Sequence, residues 1–229
     1  MPLKKAAGNM YSWITHTWNP VRGKCPYECS YCYVGRRGEQ KPLHIDEKEL
    51  RVDLGEGNFI FICSGCDLFH PNVPEEWIER VLDRTLQFPR NRYLLHTKNP
   101  GRICRFTDRL NDRYTACVTI ETNREYGKYN VSNAYPTWAR AVEILAVKLP
   151  RMITVEPIMD FDTDVFAHFI LNANPVQVNI GADSGWNGLP EPSREKVEEL
   201  IERLAPYTKI DLKTNLRRIL PESRYYGNA

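Results

Sequence analysis

The sequence predicts an α/β protein, a parallel (βα)6 partial, open TIM-type barrel with a short C-terminal extension, and three observations carry that expectation. Short apolar runs alternate with longer amphipathic segments six times, and a further strand follows the last of them. The amphipathic segments set polar side chains toward solvent, as Glu195, Lys196, Glu198 and Glu199 do. A full eight-unit barrel takes about 250 residues, so six units in 229 residues leave one side open. A flat, doubly wound sheet is the alternative.

Residues 11–18, YSWITHTW, alternate aromatic or apolar with polar side chains and stop at Asn19-Pro20, which reads as the first strand. A cysteine-bearing loop at 18–38 leads into a short helix from Tyr31, ended by Gly35 and Gly38. Residues 46–51 make a second brief helical piece, and Gly55 and Gly57 break the chain after it. Residues 58–64, NFIFICS, form a continuous apolar run suited to a strand covered on both faces. Pro74 and the acidic Glu75 and Glu76 open a helix in which Trp77, Val81, Leu82, Thr85 and Leu86 recur at helical spacing. Strands at 92–98, 114–122, 151–156 and 176–182 alternate with helices at 100–110, 136–149, 164–171 and 193–204. A last strand at 208–213 and a short closing helix at 215–220 complete one domain over 1–229.

With 42% hydrophobic and 26% charged residues, the chain can bury one substantial core. No apolar run approaches the ~20 residues a membrane span needs, and the start, MPLKKAAGNMY, has no apolar stretch of signal-peptide length. A cytoplasmic protein is expected. Seven cysteines, three of them in one loop, fit a reducing compartment better than a disulfide framework. The net charge of +2 divides into +4 over residues 1–51, +3 over 209–229 and −5 between. Basic ends lying together would favour a polyanion such as nucleic acid, while scattered charge would merely solubilise.

Cys25, Cys29 and Cys32, spaced C-x3-C-x2-C, are one ligand short of a closed site. A structural zinc centre takes four protein ligands and an electron-transfer iron–sulfur cluster usually takes four thiolates. Three cysteines hold a four-iron cluster with one iron open to a reacting ligand. Two other readings stay open: a zinc knuckle completed by His16 or His44, and an electron carrier with Cys63, Cys66, Cys104 or Cys117 as its fourth ligand.

The three cysteines, with Tyr31 before and Tyr33 after the last of them, resemble the signature of the radical S-adenosylmethionine (SAM) superfamily. Further segments resemble a compact radical-SAM-like family common in phages and prophages: TWNP before the cysteines, SGCDLFHPNVP at 64–74, LLHTKNP at 94–100, VEP at 155–157 and IGADSG at 180–185. The resemblance implies a six-unit partial barrel and a [4Fe-4S] cluster held by Cys25, Cys29 and Cys32. It also implies SAM chelated on the open iron, and an electron from a flavodoxin- or ferredoxin-type donor that splits SAM to a 5′-deoxyadenosyl radical.

In parallel βα folds the reactive edge is the carboxyl end of the strands. After the second strand come Ser64, Gly65, Cys66 and Asp67, where backbone carbonyls and Asp67 suit an ammonium group. The superfamily binds the SAM amino group there with a Gly-Gly-Glu-like segment, which is reduced here to Ser64-Gly65. Lys98 after the third strand suits the SAM carboxylate, an anionic substrate or plain solvent; Thr119, Glu121 and Asn123 stand where the superfamily holds the ribose hydroxyls. Glu156 ends the fifth strand before Pro157, and Gly181 and Asp183 stand where adenine would lie against backbone. Each has an ordinary turn or cap as its alternative. Cys66 reads either as a hydrogen-atom donor, a role cysteine serves in a photolesion lyase of the superfamily, or as a small buried residue.

The basic ends and the aromatic Tyr225 and Tyr226, expected to be exposed, make a nucleic-acid base or nucleotide the first substrate expectation. A peptide or small metabolite is the next, and a zinc-stabilised nucleic-acid-binding module is the non-enzymatic reading.

Overall fold

The computed structural model describes residues 2–125, 131–221 and 226. An eight-stranded sheet runs in the order β1 (Lys4–Lys5), β2 (His16–Trp18), β5 (Phe59–Ile62), β6 (Arg92–Thr97), β7 (Tyr114–Thr119), β8 (Arg151–Val155), β9 (Gln177–Ile180) and β10 (Lys209–Leu212). Every neighbouring pair from β2 to β10 is parallel, and only β1, paired Lys5 to His16, is antiparallel. The strand order never reverses, so the doubly wound alternative, which requires a reversal, is set aside. The sheet does not close, because β1 and β10 stand at the two ends of the order.

Both faces of the central strands are buried, as the unbroken apolar run at Phe59–Ile62 requires. Ile60, Ile62, Leu95, Val118, Ile153 and Val178 face one core with the helices. Phe59, Phe61, Leu94, Cys117 and Met152 alternate with them and pack on Tyr11 and Ile14. Here the first predicted strand needs correction: only His16–Trp18 pairs as a strand, while 11–14 turns back on itself through Ile14 N to Tyr11 O and covers the sheet's second face. Its alternating pattern reflects that cover and not a ladder.

The helices α1 (Glu75–Leu86), α2 (Thr137–Glu143), α3 (Thr163–Asn172) and α4 (Arg194–Leu204) follow β5, β7, β8 and β9. In α4 Ser193 caps the first turn by accepting from Lys196 N at 3.4 Å, and Val197, Leu200, Ile201 and Leu204 are buried on one stripe. The buried stripe of α1 includes Ile78 in place of the expected Leu86, which is exposed. The unit after β6, Pro100–Arg109, is 3-10 helix broken at Phe106, where φ is −122°, and the closing Thr214–Arg218 is also 3-10. The short helices expected after Tyr31 and at 46–51 reduce to single turns at Gly35–Arg37 and Glu49–Arg51. No α-helix follows β2 among the described residues; that connection is the cysteine loop and a hairpin of β3 (Val21–Arg22) with β4 (His44–Ile45). Two-residue strands carry no readable periodicity.

Candidate functional site

The cysteine loop is held from several sides at the carboxyl edge of the sheet. Trp18, wholly buried, donates from Nε1 to the Glu49 carbonyl at 2.9 Å, which fixes the entry to the loop. Asn19 Oδ1 accepts from Gly65 N at 3.0 Å and from Ser64 Oγ at 3.3 Å, and Tyr33 Oη donates to the Ser64 carbonyl at 3.1 Å. Ser64 and Gly65 are thus bound to the cysteine loop itself. On the other side Ser30 N donates to the Val131 carbonyl and Asn133 N to the Tyr27 carbonyl, each at 2.9 Å, bringing Ser132 Oγ to 3.1 Å from Cys29 Sγ.

Cys25, Cys29 and Cys32 are half-buried free thiols. A hydrogen bond from the Cys66 thiol lowers Cys25 to about 7, and the same contact, with burial, pushes Cys66 far up. Burial raises Cys29, opposed by the positive charge of Lys98 and by Ser132. Among the described residues, no three His, Cys, Asp or Glu side chains are gathered as ligands of one metal ion. A four-iron cluster bonds each cysteine through a different iron, so its thiols need not meet at a point; a closed zinc site requires that they do. His16 Nδ1 lies 2.9 Å from Thr15 Oγ1 and His44 Nδ1 2.8 Å from the Pro42 carbonyl, and neither completes a tetrahedral set with the thiols. The donor set, three thiols in a tethered loop with a cation at hand, fits the cluster better than zinc.

Two polar groups lie beyond the loop. The first surrounds Glu121, which has no exposed surface. Arg140 Nη2 lies 3.0 Å from one carboxylate oxygen and Lys98 Nζ 3.3 Å from the other, and Tyr31 Oη donates to it as well. Lys98 Nζ also stands 5.3 Å from the Tyr31 ring centre. Arg140, fully buried, donates to the Thr119 carbonyl at 2.5 Å, and Thr119 Oγ1 lies 2.8 Å from His96 Nε2. The residue before Cys32 is thereby tied to the carboxyl ends of β6 and β7.

The second group surrounds Glu156, which pairs with Lys213 Nζ at 2.8 Å and accepts from Asn9 Nδ2 at 2.9 Å and Asn215 Nδ2 at 3.0 Å. A Cβ at Gly181 would fall 2.9 Å from both Glu156 and Asn215, so these side chains lie directly over its backbone. Asp183 accepts from Gly185 N at 3.0 Å and Asn187 N at 2.6 Å and so shapes the 183–187 turn. Asp67 is buried and accepts from Thr97 Oγ1, Lys98 N and Phe69 N at 2.7 to 3.0 Å, a clamp between β5 and β6; burial raises its pKa. Asn123 accepts from Asp162 N at 3.0 Å, away from the Glu121 group. Cys63 falls just past β5 with φ of +57°, and its thiol is pushed up to about 12 by burial. Tyr226, expected to be exposed, is half-buried with Arg217 4.8 Å from its ring centre; Tyr225 lies outside the described residues.

The sequence reading missed Arg140, Lys213, Asn9, Asn215 and Ser132. Lys213 could have been found by carrying the strand-end rule to the last strand. An arginine in an amphipathic helix reads as solvent-facing, so Arg140 carried no signal.

Two histidines beside the site should set the acid limit of stability. Burial lowers His96 to about 3, helped by Lys98 and Lys213, and His70 to about 4, helped by Arg102. The unfolded chain protonates both near pH 6.5, so it binds more protons than the fold below that pH. Their contribution is full above pH 6.5 and is lost progressively as pH falls from there toward about 4 for His70 and about 3 for His96, at up to about 1.4 kcal/mol per pH unit each. Guanidinium unfolding of His96→Gln should therefore show a shallower loss of stability toward pH 5; an unchanged slope would refute the assignment.

Spore photoproduct lyase complexed with dinucleoside spore photoproduct aligns over 90% of this chain and 66% of its own, with a TM-score of 0.55 and 12% identity. A tyrosine-to-phenylalanine variant of that enzyme gives 0.61 over 91% of this chain and 80% of its own at 10% identity. A double variant with bound AdoMet and dinucleoside spore photoproduct gives 0.52 over 91% and 67% at 12% identity. At such identities the likeness establishes the fold. No curated protein matches the sequence. No helix among the described residues is long and apolar enough to cross a membrane. A family model matches residues 9–165, from Asn9 beside Glu156 through the cysteine loop to the start of α3, and the chain belongs to the family it describes, Protein of unknown function (DUF5131).

Proposed function

We propose that this protein is a radical SAM enzyme of the cytoplasm that acts on a nucleic-acid base or nucleotide. Cys25, Cys29 and Cys32 would hold a [4Fe-4S] cluster, which with SAM and one electron from a flavodoxin- or ferredoxin-type donor supplies reductive cleavage to methionine and a 5′-deoxyadenosyl radical. The observation that carries the reading is the C-x3-C-x2-C loop bound to Ser64, Gly65 and Glu121 at the carboxyl edge of a parallel sheet whose strands run in chain order.

Chain reach supports a partial barrel for that sheet. Between β1 and β10 lie seven strand spacings, about 34 Å if flat. Yet Asn9, four residues past Lys5, has Oδ1 3.2 Å from Thr214 Oγ1, two residues past Leu212. Four extended residues cover at most about 14 Å, so the edges must curl toward each other. In the curled form the chain's own residues have these roles: Lys98 offers a cation to a carboxylate, Ser64 and Gly65 seat the loop, and Thr119 and Glu121 stand at the ribose position with Glu156, Gly181 and Asp183 beyond them. Cys66, whose thiol hydrogen-bonds to Cys25, borders the same space and is the candidate hydrogen-atom donor. The aromatic cover from Tyr11 to Ile14 closes the sheet face below and excludes water there.

Nucleic acid is favoured as substrate because the two basic end segments meet at this edge, where Thr214 donates to Asn9, and because the similar fold in spore photoproduct lyase is complexed with a dinucleoside photoproduct. The test is anaerobic purification, iron and sulfide analysis, then dithionite with SAM. About four irons per chain and release of 5′-deoxyadenosine are expected. An iron-free protein carrying zinc would remove the proposal.

A further inference from the structure

Beside the Glu156 group the chain displays one indole in a way that folding alone does not explain. Trp186 is 76% exposed and has φ of +55°, a left-handed conformation that bulky side chains rarely adopt. Such strain persists only where the surroundings impose it, and it gathers at ligand clamps. Here the surroundings are specific. Asp183 accepts from Gly185 N, from Asn187 N and, at 2.5 Å, from Asn187 Nδ2, which fixes the turn on both sides of the tryptophan. Arg36 from the cysteine loop lays its guanidinium over Gly185, where a Cβ would be, and donates to Asn187 Oδ1 at 2.7 Å. The Arg218 guanidinium stands 4.3 Å from the indole centre and is itself held by Glu191 and by the Asp183 carbonyl at 3.1 Å. The product is a rigid, exposed aromatic plane flanked by two arginines at the edge where the cysteine loop sits.

We infer that Trp186 is a stacking platform for an unpaired nucleobase, with Arg218 and Arg36 beside it drawing the phosphate backbone to the mouth of the site. An indole face accepts any base, and guanidinium groups match phosphate, so the pair recognises single-stranded nucleic acid without reading its sequence. The inference rests on the proposed function only in taking nucleic acid as the substrate, and its test needs neither cluster nor SAM.

The experiment is fluorescence anisotropy with labelled twelve-residue oligothymidylate and oligouridylate at about 50 and 200 mM salt. Wild-type protein should bind at least one of them, more weakly at the higher salt. Stacking on an aromatic is worth about 1–3 kcal/mol per base, so Trp186→Ala should weaken binding about fivefold or more, while Trp186→Phe stays within about threefold of wild type. Tyr207→Ala is the control. Tyr207 is equally exposed at 75% but lies between α4 and the start of β10, at the opposite edge of the sheet, and its removal should leave binding unchanged. Trp186→Asn separates binding from folding, because asparagine accepts the left-handed conformation; it should lose affinity and melt no lower than wild type. Failure of the wild type to bind either oligonucleotide would overturn the inference. So would equal losses for Trp186→Ala and Tyr207→Ala, or a lower melting temperature for Trp186→Asn with affinity intact. An iron-free protein that still binds through Trp186 would overturn the enzymatic reading and leave this one standing.

Discussion

Replacing Cys29 by alanine is expected to reduce iron from about four per chain to near zero and to abolish 5′-deoxyadenosine release. In the proposed cluster the three thiols would form a minimum set: with one iron left open, each remaining iron would have a single protein thiolate, and no spare cysteine stands in the loop. Loss of even an outer-shell partner of a metal site typically lowers affinity or activity 10–100-fold, so loss of a ligand should leave activity below about 1%. The same result is expected for Cys25 and Cys32. Cys104→Ala, in the half-buried segment after β6, should retain iron and turnover. Ser132→Ala is the finer probe. It removes the hydroxyl 3.1 Å from Cys29 without removing a ligand, so the cluster should be retained with altered stability toward oxygen. If Cys29→Ala keeps its iron, another residue ligates the cluster and the three-thiolate assignment falls.

The cysteine spacing and the parallel order were legible in the sequence because both are local patterns: three thiols within eight residues, and apolar runs separated by amphipathic ones. What was not legible depends on contacts across the chain. Residues 11–14 have the alternation of a strand, yet Tyr11 and Ile14 serve as a cover on Phe59, Phe61 and Leu94, positions some 45 to 85 residues away. Asp67 was expected to accept from an ammonium group; its carboxylate accepts from Thr97 Oγ1 and Lys98 N and so joins the ends of β5 and β6, because a buried carboxylate needs several donors to offset its lost hydration. Glu121 and Glu156 were singled out by their position after strands, but their cationic partners Arg140 and Lys213 come from elements whose sequence reads as ordinary surface helix and strand end. Sequence thus located the carboxylates and Lys98 and concealed Arg140 and Lys213.

That concealment makes Arg140 the position with the largest structural consequence. Arg140→Met should cost about 3–5 kcal/mol, because it leaves the Glu121 carboxylate buried with only part of its compensating charge. For a chain of this size, about 1 kcal/mol corresponds to roughly 2–4 °C, so the melting temperature should fall by about 6–20 °C. Methionine fills a similar volume, which confines the loss mainly to electrostatics and hydrogen bonding. Glu121→Gln should be costly for the complementary reason, since it leaves Arg140 wholly buried beside a neutral amide. The double variant is the discriminating measurement. With both charges gone, Lys98, which is partly exposed and lies over Tyr31, can turn toward solvent, and much of the loss should be recovered. A coupling of about 2 kcal/mol or more in this double-mutant cycle is expected, and additive losses would show that the two groups do not act as a buried pair. Because Tyr31 bonds to Glu121 and precedes Cys32, the single variants should also loosen the cysteine loop and lower iron retention. A variant that melts normally yet loses iron would place Arg140 in the support of the loop and not in the stability of the sheet.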